Sequence, residues 1–108
     1  MKVEDRYKAA RVRFFNENPW AVARSEQVDM AVIEACGITV EDQREQQRMK
    51  IFAKAAESRG IDVDEFVIQL VATSPQQAHE WRIEDHKHRA DVLGIDWEHF
   101  KRMNGIIE

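Results

Sequence analysis

The stretch GIDVDEF, Gly60 to Phe66, returns almost intact as GIDWEHF at Gly94 to Phe100, and GITVED from Gly37 to Asp42 is a shorter form of it. Glycine adopts the left-handed backbone conformation that ends a helix, and an apolar residue just after it folds back over the last turn. One or two positions later, Thr39, Asp62 and Asp96 stand where a side-chain oxygen can accept a hydrogen bond from a free amide of a new helix. The recurring stretch therefore reads as a corner: one helix stops and the next starts within about three residues. All four glycines of the chain, Gly37, Gly60, Gly94 and Gly105, precede isoleucine, so each marks a stop.

Two further starts use proline, whose missing amide costs nothing in a first helical turn. Asn18-Pro19 opens one helix, and Ser74-Pro75-Gln76-Gln77 opens another with a cap, a proline and a capping-box glutamine in order. These signals predict helices near 3–16, 19–36, 40–59, 63–73, 75–93 and 97–104. Ser25-Glu26 is a point where the second could break. No segment alternates with period two for long enough to compete as a strand. The corners fall at unequal intervals, which excludes a solenoid of fixed period. The expected fold is all-α: a single domain over 1–108, a compact bundle of five or six helices joined by tight Gly-Ile-Asp/Thr corners.

Apolar spacing assigns faces to these helices. Val3, Tyr7, Ala10 and Phe14 form one stripe, and Ala21, Val28, Ala31, Val32 and Ala35 form a second of small side chains. The segment Val63, Phe66, Val67, Ile68, Leu70, Val71 and Ala72 is apolar nearly all round, as expected of a central helix covered by its neighbours. The third helix is uneven. Its first half, EDQREQQRMK over 41–50, carries one apolar side chain, and IFAKAA over 51–56 carries five. The first half is expected to project beyond the core, with Gln43, Arg44, Gln47 and Arg48 as candidate contacts for a partner chain.

Composition limits the function. The 108 residues are 44% apolar and 33% charged, a balance that excludes a disordered chain, and no apolar run nears the roughly 20 residues of a membrane span. A net charge of −4, with both signs mixed along the chain, lacks the basic excess of a nucleic-acid binder. Charges run through the first fifteen residues, so no secretory signal is read there, and the cytoplasm is the expected compartment. Cys36, the one cysteine, fits a reducing compartment. It precedes Gly37 at the negative end of a helix dipole, where a reactive thiolate is disfavoured.

The fifth helix holds three of the four histidines, His79, His86 and His88. Glu84 and His88 at i, i+4, with Asp91 three further on, could offer three ligands to one divalent metal, but no HExxH motif and no Glu-x-x-His partner helix accompany them. Structural histidines are the favoured reading, and no cofactor is expected. A nucleic-acid reading would pair helices 63–73 and 75–93 as a helix-turn-helix, with Gln76, Gln77, Arg82, Lys87 and Arg89 toward the duplex. Glu80, Glu84, Asp85 and Asp91 would then face the phosphates, against the charge that contact needs. No glycine-rich phosphate loop and no nucleophile elbow occur, so no enzyme is read. Trp20, Trp81 and Trp97 are expected at helix starts, at the edge of the core.

The order Asn18-Pro19, Gly37-Ile38-Thr39, Gly60-Ile61-Asp62, Ser74-Pro75 and Gly94-Ile95-Asp96-Trp97 resembles a group of short bacterial helical proteins of unknown function. The resemblance covers most of the chain and implies a bacterial cytosolic protein; it carries no active site. The function expected from the whole reading is a small interaction or regulatory domain without catalysis, acting on a protein partner or by self-association, with a nucleic-acid regulator or a metal-binding protein as the alternatives.

Overall fold

In the computed structural model, which describes residues 1–107, every regular element is a helix. There are seven: α1 Val3–Glu17, α2 Pro19–Ser25, α3 Met30–Cys36, α4 Val40–Ser58, α5 Val63–Val71, α6 Pro75–Leu93 and α7 Trp97–Asn104. The count exceeds the expected five or six because the segment 19–36 is two helices. Ser25 turns its hydroxyl back onto the Val22 carbonyl at 2.8 Å. Beyond it, the Asp29 amide donates to the side chain of Gln43 at 2.9 Å, a bond that draws it out of any continuing helix. Asp29 then caps α3, its carboxylate accepting from the amides of Ala31 and Val32.

The corners have one construction. Gly60 and Gly94 take φ of 69° and 68°, and Gly37 and Gly105 share the same left-handed region. In each case the isoleucine amide that follows reaches back five residues, Ile61 to the Ala56 carbonyl at 3.2 Å and Ile95 to the Ala90 carbonyl at 3.0 Å. This is the Schellman closure, which satisfies carbonyls that a helix end leaves open. The starts follow at once. Thr39 and Asp42 form a reciprocal capping box, with Thr39 Oγ1 accepting from the Asp42 amide and Asp42 accepting from the Thr39 amide. Asp62 accepts from Glu65, Asp96 from His99, and Ser74 from Gln77. Gln77 itself reaches one residue beyond the cap, to the amide and hydroxyl of Thr73.

The chain divides into two compact units, Met1–Val71 and Ala72–Glu108. In the first, α1 packs on α5 and α2, and α4 packs on α2 and α5. Its core is an aromatic cluster: Phe14 meets Phe52 at 5.6 Å and Phe66 at 5.8 Å between ring centroids, and Phe52 meets Phe66 at 5.0 Å. Ala10, Ala21, Ala55, Ala56 and Val67 fill the spaces between them. The predicted first stripe holds except at its N-terminal end, where Val3 is 54% exposed. The second does not hold beyond Val28, itself only half-buried. Once the helix breaks, α3 turns independently and buries Ile33, leaving Ala31, Val32 and Ala35 on the surface.

In the second unit α6 packs on α7. Trp97 stacks on Phe100 at 6.0 Å, and the ammonium groups of Lys87 and Lys101 both lie over the Trp97 ring, at 5.6 and 5.7 Å. An aromatic face attracts cations placed this way. Trp81 is 6% exposed, inside the packing and not at its edge as expected.

Candidate functional site

A groove of about 470 Å³ opens in the first unit between the end of α1, the start of α2 and the middle of α4. That size falls in the ordinary range of ligand-binding clefts, roughly 300 to 1,000 Å³. Its α4 wall is a single helical stripe, in which Gln47, Lys50, Ile51, Lys54, Ala55 and Ser58 follow one another at spacings of three and one. Trp20 and Arg24, one turn apart on α2, form the facing wall, with Phe14 and Asn18 at the end.

The sequence builds this groove by local means. Asn18, at the α1–α2 joint, donates from Nδ2 to the Phe14 carbonyl at 2.7 Å and accepts the Trp20 indole N–H on Oδ1 at 3.3 Å. One amide side chain thus closes the end of α1 and orients the tryptophan. Trp20 meets Phe14 edge to face at 6.4 Å and still exposes 55% of its surface. At the other end Arg59 donates to the Ala55 carbonyl at 2.8 Å and lays its guanidinium over the Phe66 ring at 4.8 Å.

The charge of the lining has one sign. Arg24, Lys50, Lys54 and Arg59 line the groove, no aspartate or glutamate does, and among the described residues none of the four is paired with a carboxylate. In a chain with 20 acidic and 16 basic residues, four uncompensated cations about one apolar cleft are a local concentration of positive potential. Gln47 Oε1 is buried with no hydrogen-bond donor and is not presented to the groove. What the groove offers is an aromatic and aliphatic interior and a cationic rim, a set that suits binding an apolar group carrying negative charge.

The residues singled out in the sequence lie in different surroundings. Gln43 is not on a projecting surface. It is buried, and its amide holds both the N–H and the carbonyl of Asp29. Arg48 is engaged by Glu41 and Glu45, and Arg44 is half-buried with its Nε enclosed. The first half of α4 is therefore packed against its neighbours, because α2 and the 26–29 loop fold over it. Of the four proposed contacts, Gln47 is the one that lines the groove. Glu84, His88 and Asp91 do not form a metal-holding group; among the described residues no cluster of three His, Cys, Asp or Glu does.

Residues 1–106 match a family whose description is "family of unknown function (DUF6388)". The chain belongs to the DUF6388 family. No curated protein and no solved structure matches it. The DUF6388 match covers both units, and it assigns no residue a role. No helix of this DUF6388 member, among the described residues, is long and apolar enough to cross a membrane.

Sequence reasoning missed the cations of the groove because their stripe shares a helix with core residues. Lys50, Lys54 and Ser58 recur at four-residue spacing beside Ile51 and Ala55 of the apolar run IFAKAA. An unbroken run of cations and neutral residues along one face of α4 was the available signal.

Proposed function

We propose that this protein is a non-catalytic regulatory domain of the bacterial cytosol that works by binding another protein, and that the groove between α1, α2 and α4 is the binding surface. The observation that carries the reading is the set of four cations without carboxylate partners around an apolar cleft that keeps Trp20 exposed. Unpaired charges beside a half-exposed tryptophan are the ingredients of an interface: aromatic residues and arginine supply most hot spots, and a charged rim steers the encounter.

A photo-crosslinking residue placed at position 50 or 54, with a control at Lys2, tests this in cells of the native host. The expected result is a discrete protein adduct from the groove positions and none from the control, a second copy of the chain counting as a partner. Equal adducts from all three positions, or none from any, would remove the reading.

A further inference from the structure

We propose, resting on that reading, that the groove takes a short acidic peptide segment with one large apolar anchor: the anchor enters beside Trp20 and Ile51, and flanking carboxylates meet Lys50, Lys54, Arg24 and Arg59. Charge complementarity selects the sign. The lining carries four formal positive charges, and no carboxylate of the described chain neutralises them. Each carboxylate that arrives can pair with a cation that has no carboxylate partner within the described chain.

The interior selects the anchor. Phe14, Ile51 and Ala55 are the apolar part of the lining, and Trp20 stands at its edge, pinned by Asn18. About 470 Å³ accommodates one or two large side chains and not a folded domain. An aromatic anchor would meet Trp20 in the stacked or edge-on arrangements that aromatic pairs prefer.

A peptide fits the groove better than a simple anion does, because it brings an apolar side chain and carboxylates together, which a lone carboxylate or phosphate cannot. Extended nucleic acid fits less well for a different reason. Its charge continues beyond the groove, where exposed Glu17, Glu26 and Glu57 follow the lining residues along α1, the α2 end and α4. A strand long enough to gain affinity from many phosphates would meet those carboxylates.

The test is fluorescence anisotropy with labelled synthetic peptides on the full chain. One peptide carries a central phenylalanine flanked by aspartate and glutamate; one replaces the acids by asparagine and glutamine; one replaces phenylalanine by alanine; oligouridylate of the same charge is the nucleic-acid probe. The first should bind, the second and third should bind about tenfold more weakly or worse, and added salt should weaken the first. K50E/K54E should abolish binding. Both lysines are exposed, so the double variant keeps the core, which its thermal melt checks, and Lys2→Glu should leave binding unchanged. In parallel, the Trp20 indole N–H resonance should shift on adding the first peptide and not the second.

Equal binding of the neutral peptide, binding that survives K50E/K54E, or tighter binding of oligouridylate would each overturn the proposal. If no peptide binds while crosslinking at position 50 or 54 still captures a protein, the acidic-segment proposal falls and the interaction reading stands. If neither gives a signal, both fall.

Discussion

Arg11 of α1 donates to Glu45 of α4 across 34 residues of chain, with Nη1 and Oε1 2.6 Å apart. Arg48 joins the same carboxylate from the next turn of α4 at 3.1 Å and also pairs with Glu41, and the Arg11 guanidinium lies 5.5 Å from the Tyr7 ring centre. The hydrogen bond from Arg11 holds the Glu45 carboxyl below its ordinary value of 4.5, with Arg48 acting the same way against partial desolvation. A depressed carboxylate contributes stability that is present above its unfolded value and is lost as pH falls through the lower folded value. Glu45 is 43% exposed, so solvent screening limits the contribution to about 0.5–1 kcal/mol. Glu45→Gln should lower the melting temperature slightly at pH 7, and the gap to the parent should close as pH falls below about 4. Melting curves across pH check this. A gap that persists at low pH would place the effect in packing.

Phe52 is fully buried and touches Tyr7, Phe14 and Phe66, at 5.6, 5.6 and 5.0 Å. Phe52→Ala should cost about 3–5 kcal/mol, a large share of the stability of a small domain. Leu70, only partly buried, should cost less when truncated. Denaturant titration of the two variants should rank them in that order.

Gly60 isolates the backbone contribution at a corner. A Cβ there would meet nothing within 4 Å, so a substitution is penalised by its φ of 69° alone. Gly60→Ala should destabilise by about 1–2 kcal/mol, and Gly60→Asn by less, since asparagine tolerates the left-handed region. If alanine cost nothing in equilibrium unfolding, the corner would not need its left-handed turn.

Gln43 links two elements through one side chain, holding the Asp29 main chain against α4. Gln43→Ala should leave the Asp29 amide without that partner and cost about 1–3 kcal/mol. Hydrogen exchange at Asp29 should accelerate in the variant, and exchange in α7 should not change. Unaltered exchange at Asp29 would mean the break between α2 and α3 is held by other contacts.

Much of the site lay beyond the reach of linear spacing. The cationic stripe at Lys50, Lys54 and Ser58 could be laid on a helical wheel, but nothing on that wheel says that Trp20 and Arg24 face it. Gln43 illustrates the opposite case: in EDQREQQRMK it is one polar residue among many, and burial came from α2 and the 26–29 loop closing over it. Ala31, Val32 and Ala35 had the spacing of a buried stripe and lie exposed, because a break near Ser25 resets the rotation of the helix after it.

At the glycine and proline corners, where a helix stops and the next starts was determined by the sequence alone; the break between α2 and α3 was not. Stops and caps are made from groups within about five residues of one another: the glycine's left-handed turn, the isoleucine amide reaching the carbonyl five back, the Thr39 hydroxyl meeting Asp42. Tertiary structure alone decided which polar side chains went inside and which cations were left unpaired around a cleft. Those outcomes depend on what another helix brings to the same place, and the distance between Arg24 and Lys50 in space is not contained in their distance along the chain.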